Sequence, residues 1–227
     1  MDTNSVKTYG IGELLAMARE RAVPVVRGIP DTALVAPTPC AEYDVKALVN
    51  HLYQVIVQFQ RLAAKEASDF GDTPDRVTGN AEWREGLALE ADRLVAAWSA
   101  PGAEEGTTGG MDMPARLVGS MALLDLTVHV WDLARATGQD CPGADEAVVA
   151  ELAGAVDTLA PTARKMGVFG EPAPSRRARR GSSACSREPA GIRAGGKHGG
   201  PGSSGQVGSG VGGPGIVAAG SPFSRYS

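Results

Sequence analysis

Residues 117–133 read LVGSMALLDLTVHVWDL, an almost continuous apolar run. Its large apolar side chains recur at helical spacing, at Leu117, Met121, Leu124, Val128 and Trp131. A helix that is apolar nearly all round is buried among other helices or in a core. The stretch therefore predicts a central core helix, and it favours an all-α fold.

Asp125 and His129 interrupt this run one helical turn apart. Side chains at i and i+4 leave a helix on the same face, about 5–6 Å apart at Cβ. Burying an unpaired polar group costs on the order of 2–7 kcal/mol. A shared metal ion would satisfy both groups, and a hydrogen-bonded structural pair is the alternative.

Outward from this stretch, the first 170 residues show helical periods and almost no alternating strand pattern. Asp44 is a good N-cap for a second helix, and Pro24 is expected to bend or end the first. A glycine-rich loop is expected over residues 101–110. The predicted helices cover residues 11–26, 44–67, 80–98, 114–137 and, as a shorter fifth, 145–159. Four long helices with connections of this length indicate a bundle.

His51 is the only other histidine in this part of the chain, and it lies beside the apolar stripe of the second helix. Facing helices of a bundle can bring it to Asp125 and His129. Two imidazoles and one carboxylate leave an open coordination position, as in catalytic zinc sites. Nickel or iron accepts the same ligands.

Two neighbours of this pair allow two interpretations each. Asp132 could hydrogen-bond a ligand histidine from behind, or it could form an exposed ion pair with Arg135, which we favour. Trp131 continues the apolar stripe, so a place in the core is favoured over a binding platform.

The composition changes near residue 170. In residues 171–227, 30 of 57 positions are Gly, Ser or Pro, and the net charge of this segment is +6. So little apolar surface predicts disorder. We therefore predict a domain over residues 1–170 and a low-complexity tail over 171–227. A second hypothesis is that the tail is read in a shifted frame, because GC-rich codons read out of frame give this composition.

The net charge of −4 and the pI of about 5.4 argue against nucleic acid as a partner. No run of 18 apolar residues occurs, so no membrane span is expected. The N-terminus lacks a secretory pattern, and the three cysteines are too widely spaced for a disulfide framework or a metal knuckle. A cytoplasmic protein is expected.

Three segments resemble one family closely: residues 37–40 (PTPC), 45–52 (VKALVNHL) and 125–138 (DLTVHVWDLARATG). They resemble the mycothiol-dependent maleylpyruvate isomerase N-terminal family of DinB-like four-helix bundles, over about residues 10–168. The resemblance implies a divalent metal, usually zinc, with His51, Asp125 and His129 as its ligands. It also implies a low-molecular-weight thiol such as mycothiol as co-substrate and an electrophilic small molecule as substrate.

The chain departs from the isomerase at Asp125, where the isomerase has Glu, and it shows no resemblance to the isomerase's C-terminal domain. Shorter members end in a further helix after a segment like Phe169-Gly170, which the tail replaces here. The function expected is that of a metal-dependent thiol transferase or isomerase. A non-catalytic or regulatory metal-binding bundle and an inactive truncated member are the alternatives, and a homodimer stays open.

Overall fold

The computed structural model describes residues 8–40 and 42–165. Over these residues the chain forms five α-helices, one 3-10 turn and one two-stranded hairpin. The elements are α1 Ile11–Arg27, α2 Val45–Ala63, α3 Trp83–Trp98, β1 Thr107–Thr108, β2 Met113–Pro114, α4 Ala115–Ala136 and α5 Glu146–Lys165. The predicted all-α, DinB-like fold class is confirmed. The predicted tail and the Phe169-Gly170 segment lie outside the described residues.

Four helices form the bundle, with α1 and α2 each packed against both α3 and α4. The fifth helix, α5, lies outside this group against α4 and α1. Gly119 allows α4 to approach its neighbours closely. A Cβ there would lie 2.8 Å from Cγ2 of Ile11 and 2.9 Å from Cζ3 of Trp98. Both neighbours are fully buried, so the small residue sets the helix spacing in the centre of the core.

Helix α2 begins as the sequence predicts, because the Asp44 carboxylate accepts a hydrogen bond from the Ala47 amide at 2.8 Å. The loop before it is held to the same end of the helix. The Val45 amide donates to the Ala36 carbonyl at 3.0 Å, and Pro37 and Asp44 form an antiparallel bridge. The loop therefore closes over the first turn of α2.

Several predicted features differ from the structure, and α2, predicted to run to residue 67, ends at Ala63. Helix α1 continues through Pro24, which lies on the exposed face of its last turn. The loop predicted over residues 101–110 contains β1, which is anchored where the Thr108 hydroxyl donates to the Leu62 carbonyl at 2.7 Å. The fifth helix is 20 residues long and is not short.

Helix α4 is long and apolar enough to cross a membrane, judged by length and composition alone. Its most apolar window is 67% buried inside the bundle. A core helix passes the same test of composition, and the packing of α4 against α1, α2 and α5 accounts for its apolar character here.

Candidate metal centre

The three predicted ligands, which come from two separate segments, meet where α2 packs against α4. The imidazole rings of His51 and His129 lie edge to face, with centroids 5.1 Å apart and planes at 87°. On α4, Nε2 of His129 lies 3.8 Å from Oδ1 of Asp125. The i,i+4 spacing brings Asp125 and His129 together on α4, and the packing of α2 against α4 places His51 beside His129.

His129 is fully buried, and its two ring nitrogens have different surroundings. Nδ1 lies 3.4 Å from Oδ2 of Asp132, which is also fully buried. Nε2 has no hydrogen-bond partner within the described ranges, and its 3.8 Å separation from Asp125 exceeds hydrogen-bond length. An unsatisfied buried polar atom costs about 1–3 kcal/mol. A cation bound at Nε2 would remove that cost, so the surroundings of His129 suit a metal ion.

The three candidate ligands lie close together, but their donor atoms are not at the distances of a metal coordination sphere. Among the residues that the structure describes, no group of three His, Cys, Asp or Glu side chains is arranged to hold a metal ion. Tetrahedral zinc binds nitrogen and oxygen at about 2.0–2.2 Å, which separates two ligand atoms by roughly 3.4 Å. The 3.8 Å between His129 and Asp125 is slightly longer. Binding of one zinc ion by these two atoms would therefore require a small movement of one of the side chains.

Burial controls the protonation of the two remaining ligands. It raises the pKa of Asp125 to about 6, an effect that the neighbouring His129 partly opposes. It also lowers the pKa of His51 to about 4, with a further lowering from His129. At neutral pH, His51 is therefore an uncharged imidazole with a free lone pair, and Asp125 is mostly ionised. These are the protonation states that bind metal ions.

Tyr43 forms one wall of the centre, and sequence reasoning did not select it. Its ring stacks on His51 with centroids 5.1 Å apart and an interplanar angle of 24°. Burial raises the pKa of its hydroxyl, and the nearby Cys40, Glu42 and Asp125 add smaller contributions in their ionised forms. The sequence shows an aromatic residue between PTPC and His51, but the loop conformation that brings it against His51 could not be predicted from the sequence.

Two interpretations of the residues around His129 were wrong. Asp132 is not an exposed partner of Arg135, because its i+3 position places it on the same buried face as His129. The Arg135 guanidinium lies instead 5.9 Å from the centroid of the Trp131 ring. Trp131 is 39% exposed and is not a core residue, because the bundle covers the opposite face of α4.

Comparison with known proteins gives one family model and two relatives. The profile of the mycothiol maleylpyruvate isomerase N-terminal domain matches residues 15–134, a stretch that contains all three candidate ligands. Two relatives from Mycobacterium tuberculosis are each 29% identical to the chain over 155 residues, covering 66% of this chain and 82% of the relative. They are the uncharacterized proteins MT0763, from strain CDC 1551 / Oshkosh, and Rv0738, from strain H37Rv. No solved structure matches the chain significantly.

Proposed function

The chain belongs to the mycothiol maleylpyruvate isomerase N-terminal domain family, and from this premise we propose that it is a divalent-metal-binding protein that activates a low-molecular-weight thiol. The metal proposed is zinc, and the thiol is mycothiol. The activity is transfer of the thiol to an electrophilic small molecule, or thiol-assisted isomerisation of that molecule. We place this activity in the cytoplasm.

The observation that carries the proposal is the unsatisfied Nε2 of His129, which is buried beside a second imidazole and a carboxylate. His51 and His129 would supply imidazole nitrogen, and Asp125 would supply carboxylate oxygen. Three protein ligands leave a position open for a further ligand, which distinguishes catalytic from structural zinc sites. A thiol sulfur suits that position because zinc accepts thiolate readily.

Zinc, when bound, would keep a coordinated thiol in its thiolate form at neutral pH. The residues of the chain prepare this chemistry. Asp132 beside Nδ1 of His129 favours the tautomer that carries its proton there, and this leaves the lone pair of Nε2 free. Burial keeps His51 neutral at pH 7, since its pKa is lowered to about 4. No protein nucleophile is required, because the thiol itself attacks the electrophile.

Metal analysis and a thiol assay on the full chain test the proposal. We expect about one zinc per wild-type chain and strong loss of zinc in His129→Ala. The matched control is His198→Ala, which removes the third histidine of the chain. We also expect the wild type to consume mycothiol in the presence of a model alkylating electrophile, and a chelator to abolish this.

The outcomes separate the candidate functions. Bound zinc together with chelator-sensitive thiol consumption supports the enzyme. Bound zinc without consumption of any thiol tested indicates a non-catalytic metal-binding bundle. Wild-type protein that binds no divalent metal contradicts the proposal.

A further inference from the structure

The loop before α2 places Tyr43 beside the candidate metal centre. A role for Tyr43 in metal binding rests on the proposed function. The half-buried tyrosine ring lies against one face of His51, nearly parallel to it, at a centroid distance of 5.1 Å and an angle of 24°. The edge-to-face contact with His129, at 87°, is the second ring contact of His51. The imidazole is therefore held by two rings in nearly perpendicular planes.

The backbone around Tyr43 is anchored on both sides. The Thr38 hydroxyl lies 2.8 Å from the carbonyl of Tyr43 and 2.9 Å from that of Cys40, so it can donate to either. The Tyr43 amide donates to the Cys40 carbonyl at 3.0 Å. The next residue, Asp44, caps α2. Because the loop and the helix end are fixed together, the position of the tyrosine ring relative to His51 is fixed as well.

A metal-ligating imidazole must point its nitrogen lone pair at the ion. The terminal torsion of histidine is broad, so the side chain alone does not define the plane of its ring. Groups hydrogen-bonded to a metal ligand typically contribute about 10–100-fold to metal affinity by orienting it, and we expect a ring stacked on the ligand to act on a similar scale. We propose that Tyr43 is a positioning residue for metal binding, whose ring face fixes the plane of the His51 imidazole.

The test measures zinc affinity by competition with a chromophoric chelator, and the visible spectrum of the cobalt-loaded protein. Tyr43→Leu removes the ring and is expected to weaken zinc binding by about 10–100-fold and to alter the cobalt spectrum. Tyr43→Phe keeps the ring and is expected to retain the affinity and the spectrum of the wild type. Thr38→Val keeps the tyrosine ring but removes the hydroxyl that holds the loop, so we expect an intermediate loss of zinc affinity.

Phe70→Leu is the matched control, because Phe70 is also a half-buried aromatic residue packed on another ring, that of Phe59 at 5.6 Å. It should change the free energy of unfolding without changing zinc affinity. Unfolding of each metal-free variant is measured in parallel, so that loss of the fold is not mistaken for loss of positioning. If Tyr43→Leu does not fold, Thr38→Val decides the matter.

The proposal is overturned if folded Tyr43→Leu binds zinc with wild-type affinity, or if Tyr43→Phe loses as much as Tyr43→Leu. If Tyr43→Leu does not fold, wild-type zinc affinity in Thr38→Val overturns it. Each of these results would leave the proposed function standing, since the wild type would still bind zinc. A wild-type chain that binds no zinc would instead overturn the proposed function itself.

Discussion

His129 is the residue on which the account depends, because it is fully buried with one ring nitrogen beside a carboxylate and the other unsatisfied. Asp132 provides that carboxylate from the next helical turn. A carboxylate behind a ligand histidine fixes the tautomer of the ring and raises its basicity. The contact with Asp132 thus gives one of the two buried ring nitrogens of His129 a polar neighbour.

Replacing Asp132 by Asn should weaken zinc binding by about 10–100-fold, because the negative charge behind His129 is lost while the side-chain size is kept. Chelator competition measures the change. Asp145→Asn is the control, since Asp145 is an exposed carboxylate paired with Arg21 outside the centre. Equal affinity in Asp132→Asn and wild type would show that the carboxylate is not needed behind the ligand.

His51, Asp125 and His129 could be selected from the sequence as candidate ligands, and their role as ligands stays a prediction. His51, Asp125 and His129 stood out because they are polar residues in the middle of apolar helices. The roles of Asp132 and Tyr43 could not be read in the same way. The role of Asp132 depends on which face of α4 the bundle covers. The role of Tyr43 depends on how the loop before α2 folds back on that helix.

Among the elements, the segment between α2 and α3 is held by Asp75. Its carboxylate accepts hydrogen bonds from the Thr78 hydroxyl at 2.6 Å and from the backbone amides of Thr78 and Val77 at 3.0 Å. It also accepts one from the side-chain amide of Asn50 at 3.1 Å. These bonds, the Thr78 hydroxyl bond first, hold the pKa of Asp75 well below its usual range. The segment is thereby attached to the buried side of α2.

A carboxyl whose pKa is lower in the folded protein stabilises it above the unfolded pKa, and this stabilisation is lost as pH falls. We therefore expect wild-type stability to decline below about pH 4, the ordinary range of an aspartate. In Asp75→Asn, stability at pH 7 should be lower and the decline shallower. Urea unfolding of metal-free protein from pH 7 to pH 3 measures both. Parallel curves for the two proteins would contradict this role.

Gly119 provides a second prediction at the level of elements, this time about helix packing. Gly119→Ala places a methyl group against Ile11 and Trp98, and overpacking of this kind costs about 1–3 kcal/mol. Gly154→Ala is the control, because a Cβ at that exposed position in α5 has nothing within 4 Å. It should be neutral or stabilising by up to about 1 kcal/mol. Similar unfolding free energies for the two variants would argue against close packing at Gly119.

The helices could be predicted well, because apolar periodicity and the Asp44 cap are local signals. The hairpin of β1 and β2 could not, since its strands have two residues each and depend on a contact with the end of α2. Pro24 was expected to bend or end α1. It lies on the exposed face of the last turn, and the helix continues past it to Arg27.

On the scale of the whole molecule, the bundle brings together residues 74 positions or more apart, with His51 on α2 and Asp125 and His129 on α4. An unfolded chain cannot offer such a site, so zinc bound at the proposed site would favour the folded state. The division into a domain over 1–170 and a tail over 171–227 stays a prediction, because only the composition of the tail bears on it.

Zinc should therefore raise the melting temperature of the metal-free wild type. At a free concentration 100 times Kd, the stabilisation is about 2.7 kcal/mol. His129→Ala should show a much smaller shift, and a chelator should reverse the shift in the wild type. Differential scanning calorimetry measures it. An equal shift in wild type and His129→Ala would mean that zinc binds elsewhere.

The most direct test of the central claim is zinc-edge X-ray absorption of the full chain loaded with one equivalent of zinc. We expect a first shell of nitrogen and oxygen at about 2.0–2.2 Å, with the outer-shell scattering of two imidazoles. Loss of one imidazole is expected in His51→Ala. A spectrum without histidine scattering, or one unchanged in that variant, would contradict the claim that these two helices bind one metal ion.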